Sequence, residues 1–163
     1  MDTGKLTTSD YLIGGGALIY LVAMVLPWYG IGGYAENGLD YFVTGIVPLL
    51  LLAVVISIVV LEEHTQVDLP VITAPWRLVE LATAGVAVLL VLLRLVFGAS
   101  ASRISGGGSV VDVQLARQYG LFVAVLAAFT VVGGLVLKVL EDGGFNTLRP
   151  GADRGFYPPN PGT

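Results

Sequence analysis

The chain has 163 residues, 55% of them hydrophobic and 12% charged, with a mean hydropathy of +0.85. Soluble domains carry about 25% charged residues, so a water-soluble globule is excluded. Eight basic against twelve acidic residues form no stripe for nucleic acid and no polybasic lipid-binding patch, and the lack of cysteine removes disulfides, thiolate metal sites and the cysteine-dependent four-helix membrane oxidoreductases.

Four apolar runs, roughly 11–29, 43–61, 78–97 and 119–140, dominate the chain. A hydrocarbon core about 30 Å thick needs ~20 helical residues, and in lipid the backbone of each run must satisfy itself as a helix. The first run starts behind Leu6-Thr7-Thr8-Ser9-Asp10, where Thr7 or Ser9 can accept from the open first-turn amides and Asp10 adds favourable negative charge. Its exit, Leu26-Pro27-Trp28-Tyr29, is no small-x-small cleavage site, so an uncleaved span is expected. Gly30, Gly32, Gly33 and Asn37-Gly38 then predict a short loop. Pro48 makes the second helix begin near Ile46 or bend there, and Glu62-Glu63-His64 closes it. Pro70 and Pro75 fix an extended second loop. The third loop, Gly98 to Gln118, has a flexible Ser105–Ser109 centre, and Val110 to Gln118 suits a turn of helix leading into the fourth run. The expected fold class is therefore all-α: residues 1–142 form a four-transmembrane-helix bundle, and 143–163 form a disordered Pro/Gly-rich tail.

With both termini on one side, that side carries Lys5, Arg77, Lys138, Arg149 and Arg154, against Arg94, Arg103 and Arg117 opposite. The excess favours cytoplasmic termini. Trp28, Tyr41, Phe42, Phe97 and Tyr119 would form the outer aromatic belt, with Tyr11 and Trp76 on the inner one. No internal repeat is visible.

Charged side chains at membrane depth are the first place to look for function. Glu80 and Lys138 fall at the same inner level of antiparallel helices and are expected to pair. Arg94 lies about 21 Å farther along the third helix, with Asp112 or the third-loop backbone as its expected partner. A proton or cation carrier would use Glu80 and Arg94, with Thr83, Ser57 and Thr130 along a polar path. Otherwise these charges are interfacial pairs whose long side chains reach toward headgroups. Gly120, Ala124 and Ala128 form a small-xxx-small ridge for close helix packing, within one bundle or against another copy or partner, prolonged by Gly133-Gly134. Gly14-Gly15-Gly16 and the Ala82–Ala87 stretch offer similar surfaces. His64 beside two glutamates is a poor metal site, Asp68 is isolated, and the loop-three triglycine lacks the lysine of a phosphate loop. Tyr157-Pro158-Pro159-x-Pro161 is a possible polyproline ligand within an otherwise unfolded tail.

The entry Leu6-Thr7-Thr8-Ser9-Asp10, leading into a Gly-rich span that ends Leu26-Pro27-Trp28-Tyr29, resembles a group of uncharacterised four-span membrane proteins of actinobacteria. So does Gln118-Tyr119-Gly120-Leu121-Phe122-Val123-Ala124-Val125-Leu126-Ala127-Ala128 leading to Gly133-Gly134. The resemblance covers all four spans and implies cytoplasmic termini in a Gram-positive plasma membrane, with no known activity. The expected function is a non-enzymatic multi-pass accessory, scaffold or assembly subunit without cofactor or catalytic residues. Its partners would be the bilayer and another membrane protein or a second copy. The alternative is a small transporter or channel subunit.

Overall fold

The computed structural model describes residues 7–64, 75–104 and 110–144, excluding the side chains of 62–64 and 101–112. Four helices run α1 Thr8–Val25, α2 Val47–His64, α3 Trp76–Phe97 and α4 Tyr119–Glu141. Each is long and apolar enough to cross a membrane.

The expectation of an all-α chain with plain loops needs correction. Each connection at the end opposite the termini folds as a hairpin: β1 Pro27–Ile31 with β2 Tyr34–Asn37, and β3 Ala99–Ile104 with β4 Val110–Arg117. They merge into one antiparallel sheet of order β2-β1-β4-β3. The order follows from the helices. α1 packs most extensively on α4, so the strands that prolong them, β1 and β4, meet in the middle. Gly32 and Gly33 both have positive φ, as a two-residue hairpin loop requires, so the glycines assigned to a loop are the turn itself. Val110–Arg117 is a strand, not a helical turn. Its alternation of Val111, Val113 and Leu115 with polar neighbours is a period of two.

Other boundaries follow local chemistry. Thr7 caps α1 in a reciprocal box with Asp10, which decides between Thr7 and Ser9. Before α2 the chain makes a 3₁₀ turn, Gly38–Asp40, and a π-helical turn, Phe42–Ile46. The Tyr41 carbonyl accepts from both Gly45 and Ile46, at 2.8 and 3.1 Å. This wide turn feeds a regular helix whose second residue is Pro48. Arg94 and Gly98 finish α3, the glycine amide bonding the Arg94 carbonyl at 3.1 Å. Asp68, the Ser105–Ser109 loop centre and the tail from 145 onward, with its Tyr157 motif, lie outside the described residues.

The core lies along the axis of the bundle. Tyr20, Ala23, Val55, Ala84, Ala87, Val91, Ala124 and Val131 are fully buried, while Leu18, Val22, Leu89, Leu126 and Phe129 point outward. An added Cβ on Gly16 would lie 2.9 Å from Val131, and one on Gly134 2.8 Å from Ile13. That proximity is the α1/α4 seam. Gly14, Gly15, Gly85 and Gly133 face open space, so only one glycine of each run lies in a contact.

Candidate functional site

Polar groups gather at the two ends of the bundle. At the terminal end Ser9, Glu80 and Lys138 are buried. Lys138 Nζ donates to Asp10 Oδ1 at 2.7 Å, and the two side chains are 4% and 9% exposed. The other carboxylate oxygen of Asp10 accepts from the Thr7 amide and hydroxyl at 2.9 and 2.7 Å. One residue thus serves as both helix cap and counter-ion. Ser9 donates to Glu141 at 2.7 Å, tying α1 to α4 a second time. Arg77 reaches Glu80 at 3.2 Å and Asp142 at 3.0 Å, joining α3 to the end of α4. Glu80 and Lys138 accordingly occupy the same end, in ion pairs with Arg77 and Asp10. Any direct coupling between them is a proposal tested below.

At the sheet end the organising residue is Arg94, in the last turn of α3. Its guanidinium carbon sits 3.6 Å from the Tyr41 ring centroid and 5.0 Å from that of Tyr29. Trp28 stacks on Tyr41 with centroids 6.3 Å apart, and Tyr29 meets Tyr41 edge-on at 5.6 Å. The Tyr29 hydroxyl donates to the Arg94 carbonyl at 2.6 Å, while Arg117 donates to the next two carbonyls, Leu95 at 2.7 Å and Val96 at 3.1 Å. Side chains from β1 and β4 therefore close the negative end of α3, where cations are favoured. Glu36 accepts from the Tyr41 and Tyr34 hydroxyls. Burial pushes the Tyr29 hydroxyl above the usual tyrosine range against the opposing charges of Arg94 and Arg117. Burial, and then the Glu36 bond, raises Tyr41 further while Arg94 opposes.

A β-bulge builds this cluster. Between Pro27 and Tyr29 the register with β2 shifts by one residue, so Trp28 is extra. Successive strand residues normally face opposite ways, yet Trp28 and Tyr29 are both fully buried. Trp28 donates to the Ala23 carbonyl at 2.8 Å and lies inside the fold, not in the outer aromatic belt expected for it. Phe42, Phe97 and Tyr119 are exposed at the sheet end and Tyr11 at the other, as belt residues would be.

The packing face Gly120, Ala124 and Ala128 is buried on α4, with Gly120 against Leu26 and Pro27. Of the polar-path candidates, Ser57 and Thr130 donate to their own helix, to Ala53 at 2.8 Å and Leu126 at 2.9 Å. The side chains of Asp112 and His64 lie outside the described residues. Among those described, no three His, Cys, Asp or Glu residues converge as a metal site.

Sequence reasoning gave Asp10 only its capping role and missed Arg77, Tyr29 and Glu36 as site residues. Asp10 was findable: it stands one turn into the first span, level with Lys138 at the end of the antiparallel fourth. The aromatic cluster depends on a bulge that no residue pattern announces. Compared with known proteins, the chain matches no family model, no curated protein and no solved structure.

Proposed function

We propose that this is a non-enzymatic, integral multi-pass membrane protein, an accessory or assembly subunit that presents its sheet end to a partner while the helices anchor it. The observation carrying this reading is the investment at that end. Both inter-helical connections become strands of one shared sheet, bolted to α3 by Tyr29 and Arg117. A bundle that needed only to span would require no such platform, whereas a rigid presented surface suits recognition. The positive residues counted above favour termini in the cytoplasm and the sheet outside a plasma membrane, as does the likeness to actinobacterial four-span proteins.

The absence of cysteine makes single-cysteine labelling direct. A cysteine at Gly107 should react with an impermeant maleimide on intact cells, and one at Gly151 only after lysis; the reverse pattern inverts the orientation. For function, tagged chain purified in mild detergent should bring down a stoichiometric partner that is lost when exposed β2 residues such as Tyr34 are changed to lysine. A small transporter or channel subunit using Glu80 and Arg94 is the second reading, favoured by the complete burial of Glu80. A clean homo-oligomer whose proton or cation flux is lost in Glu80→Gln would support it.

A further inference from the structure

Arg94 is stacked among aromatic rings, yet one of its donors has no partner in the protein. The guanidinium carbon lies close over the Tyr41 ring and farther from that of Tyr29, and because the two rings meet at 76° the guanidinium can be flat on only one of them. The in-plane N–H edge is another matter. Arg94 Nε is buried with no hydrogen-bond partner, and none of the ion pairs among the described residues includes Arg94. Cation–π attraction leaves that Nε donor unanswered, and a buried donor without an acceptor is costly. Glu36, the nearby carboxylate, is taken up by the Tyr34 and Tyr41 hydroxyls.

The surroundings say what kind of acceptor fits. Arg94 stands in the last turn of a 22-residue helix, about 5 Å short of its end. On the membrane reading, on which this inference rests, that depth is the headgroup–acyl boundary. Exposed Phe42, Phe97 and Tyr119 surround the same level, as interfacial aromatics do. Arg117 adds a second positive charge acting on Tyr29, but its own donors are engaged by the Leu95 and Val96 carbonyls. Arg94 as a residue is partly exposed although its Nε is buried, and a guanidinium held in place by aromatic rings suits the oxygens of a phosphate group.

We propose that Arg94, held by Tyr41 and Tyr29, is a binding site for a phosphate oxyanion at the sheet-end interface. The phosphodiester of an anionic phospholipid and free inorganic phosphate share that chemistry. It is a single oriented fork, not a polybasic patch, so it should respond to one ligand and saturate.

The test uses the full chain in a maltoside detergent, which contains no phosphate. Thermal midpoints are measured with added phosphatidylglycerol, with monoolein as a phosphate-free lipid, and with inorganic phosphate. Phosphatidylglycerol should raise the midpoint by at least ~2 °C beyond monoolein. In Arg94→Gln the lipid concentration needed should rise at least about tenfold, as when a charge-assisted hydrogen bond is lost. A rise with inorganic phosphate that equals the lipid's, and is lost in the variant, assigns the site to the soluble anion. Equal responses in both proteins, or the same rise with monoolein, overturn the proposal and mean that water alone serves the guanidinium edge. Those outcomes leave the membrane reading intact, whereas a chain that stays dispersed and helical without detergent would overturn that reading instead. Should Arg94→Gln fail to fold, Arg94→Lys keeps the charge without the fork and must bind more weakly. Unchanged lipid affinity in Arg94→Lys overturns the site.

Discussion

At the terminal end charge meets charge: Lys138 lies 2.7 Å from Asp10, and Arg77 bridges Glu80 and Asp142. At the sheet end Arg94 meets aromatic faces, with no carboxylate in ion-pair contact among the described residues. The two solutions differ in how they fail. An ion pair closed away from water depends on both members, since removing one strands the other. An arginine on two rings can lose one and still move its charged end to a polar environment, because its long stem allows it. The terminal end should therefore be the brittle one and the sheet end the tolerant one.

The largest effect is expected at Lys138. Lys138→Met leaves Asp10 without its counter-ion and should cost about 3–5 kcal/mol of stability in detergent. Asp10→Asn combined with Lys138→Met should be milder than either change alone. A double-mutant cycle with additive losses would show that the pair carries no coupling. Running the same cycle with Glu80→Gln and Lys138→Met tests their direct coupling, which we propose to be present but smaller.

Next comes the seam that holds the two ends in register. Gly134→Ala and Ala124→Leu should each cost about 1–3 kcal/mol, because there is no room for the added carbons. Gly133→Ala, one position round the helix and open on that side, should gain about 0.5–1 kcal/mol through helix propensity alone. If both glycine variants lose stability equally, the helices do not meet along this face. Gly133 is the better control than Val125, which is half-buried against the core.

At the sheet end the effects shrink. Tyr41→Leu removes one face of the arginine stack and should cost about 0.5–2 kcal/mol, while Tyr41→Phe keeps the face and should lose less. A loss from Tyr41→Leu as large as that from Lys138→Met would erase the contrast between the ends. The smallest effect is confined to alkaline solution. Folding raises the hydroxyl pKa of both Tyr29 and Tyr41, so the neutral form is the one the fold prefers. Their contribution is complete below the unfolded value of about 10 and is lost as pH rises through the higher folded values. Tyrosinate absorbance should show late-titrating groups that revert on denaturation, with one fewer in Tyr41→Phe.

What could be read ahead of the structure was what lipid and helix periodicity dictate. The four helices stand where the apolar runs are, within a few residues, and Thr7 caps the first. Gly120, Ala124 and Ala128, expected as a packing ridge, are buried on α4, and Gly120 approaches Leu26 and Pro27 closely. The sheet was not visible beforehand, although Gly32-Gly33 and the alternation after Val110 announced it in hindsight. Strong helical runs on either side drew the short polar stretches into the category of loops. The ion pair of Lys138 with Asp10 and the stacking of Arg94 on Tyr41 were hidden for a different reason. Depth along a helix restricts which residues can meet, but rotation about the axis chooses among them. Rotation is set by packing that involves α1, α3 and α4 together.

The α1/α4 seam also has a meaning in time. Synthesis delivers α1 first and its principal partner last, after some ninety residues of intervening chain (the gap from Val25 to Tyr119). Until α4 is made, Asp10 lacks Lys138, Gly16 lacks Val131, and β1 lacks its central neighbour β4. Contacts so distant in sequence form late, and their unsatisfied surfaces stay open to quality control meanwhile. A chain arrested before Tyr119 would lack the principal packing partner of its first helix. The last helix made is therefore the one that completes the packing of the first.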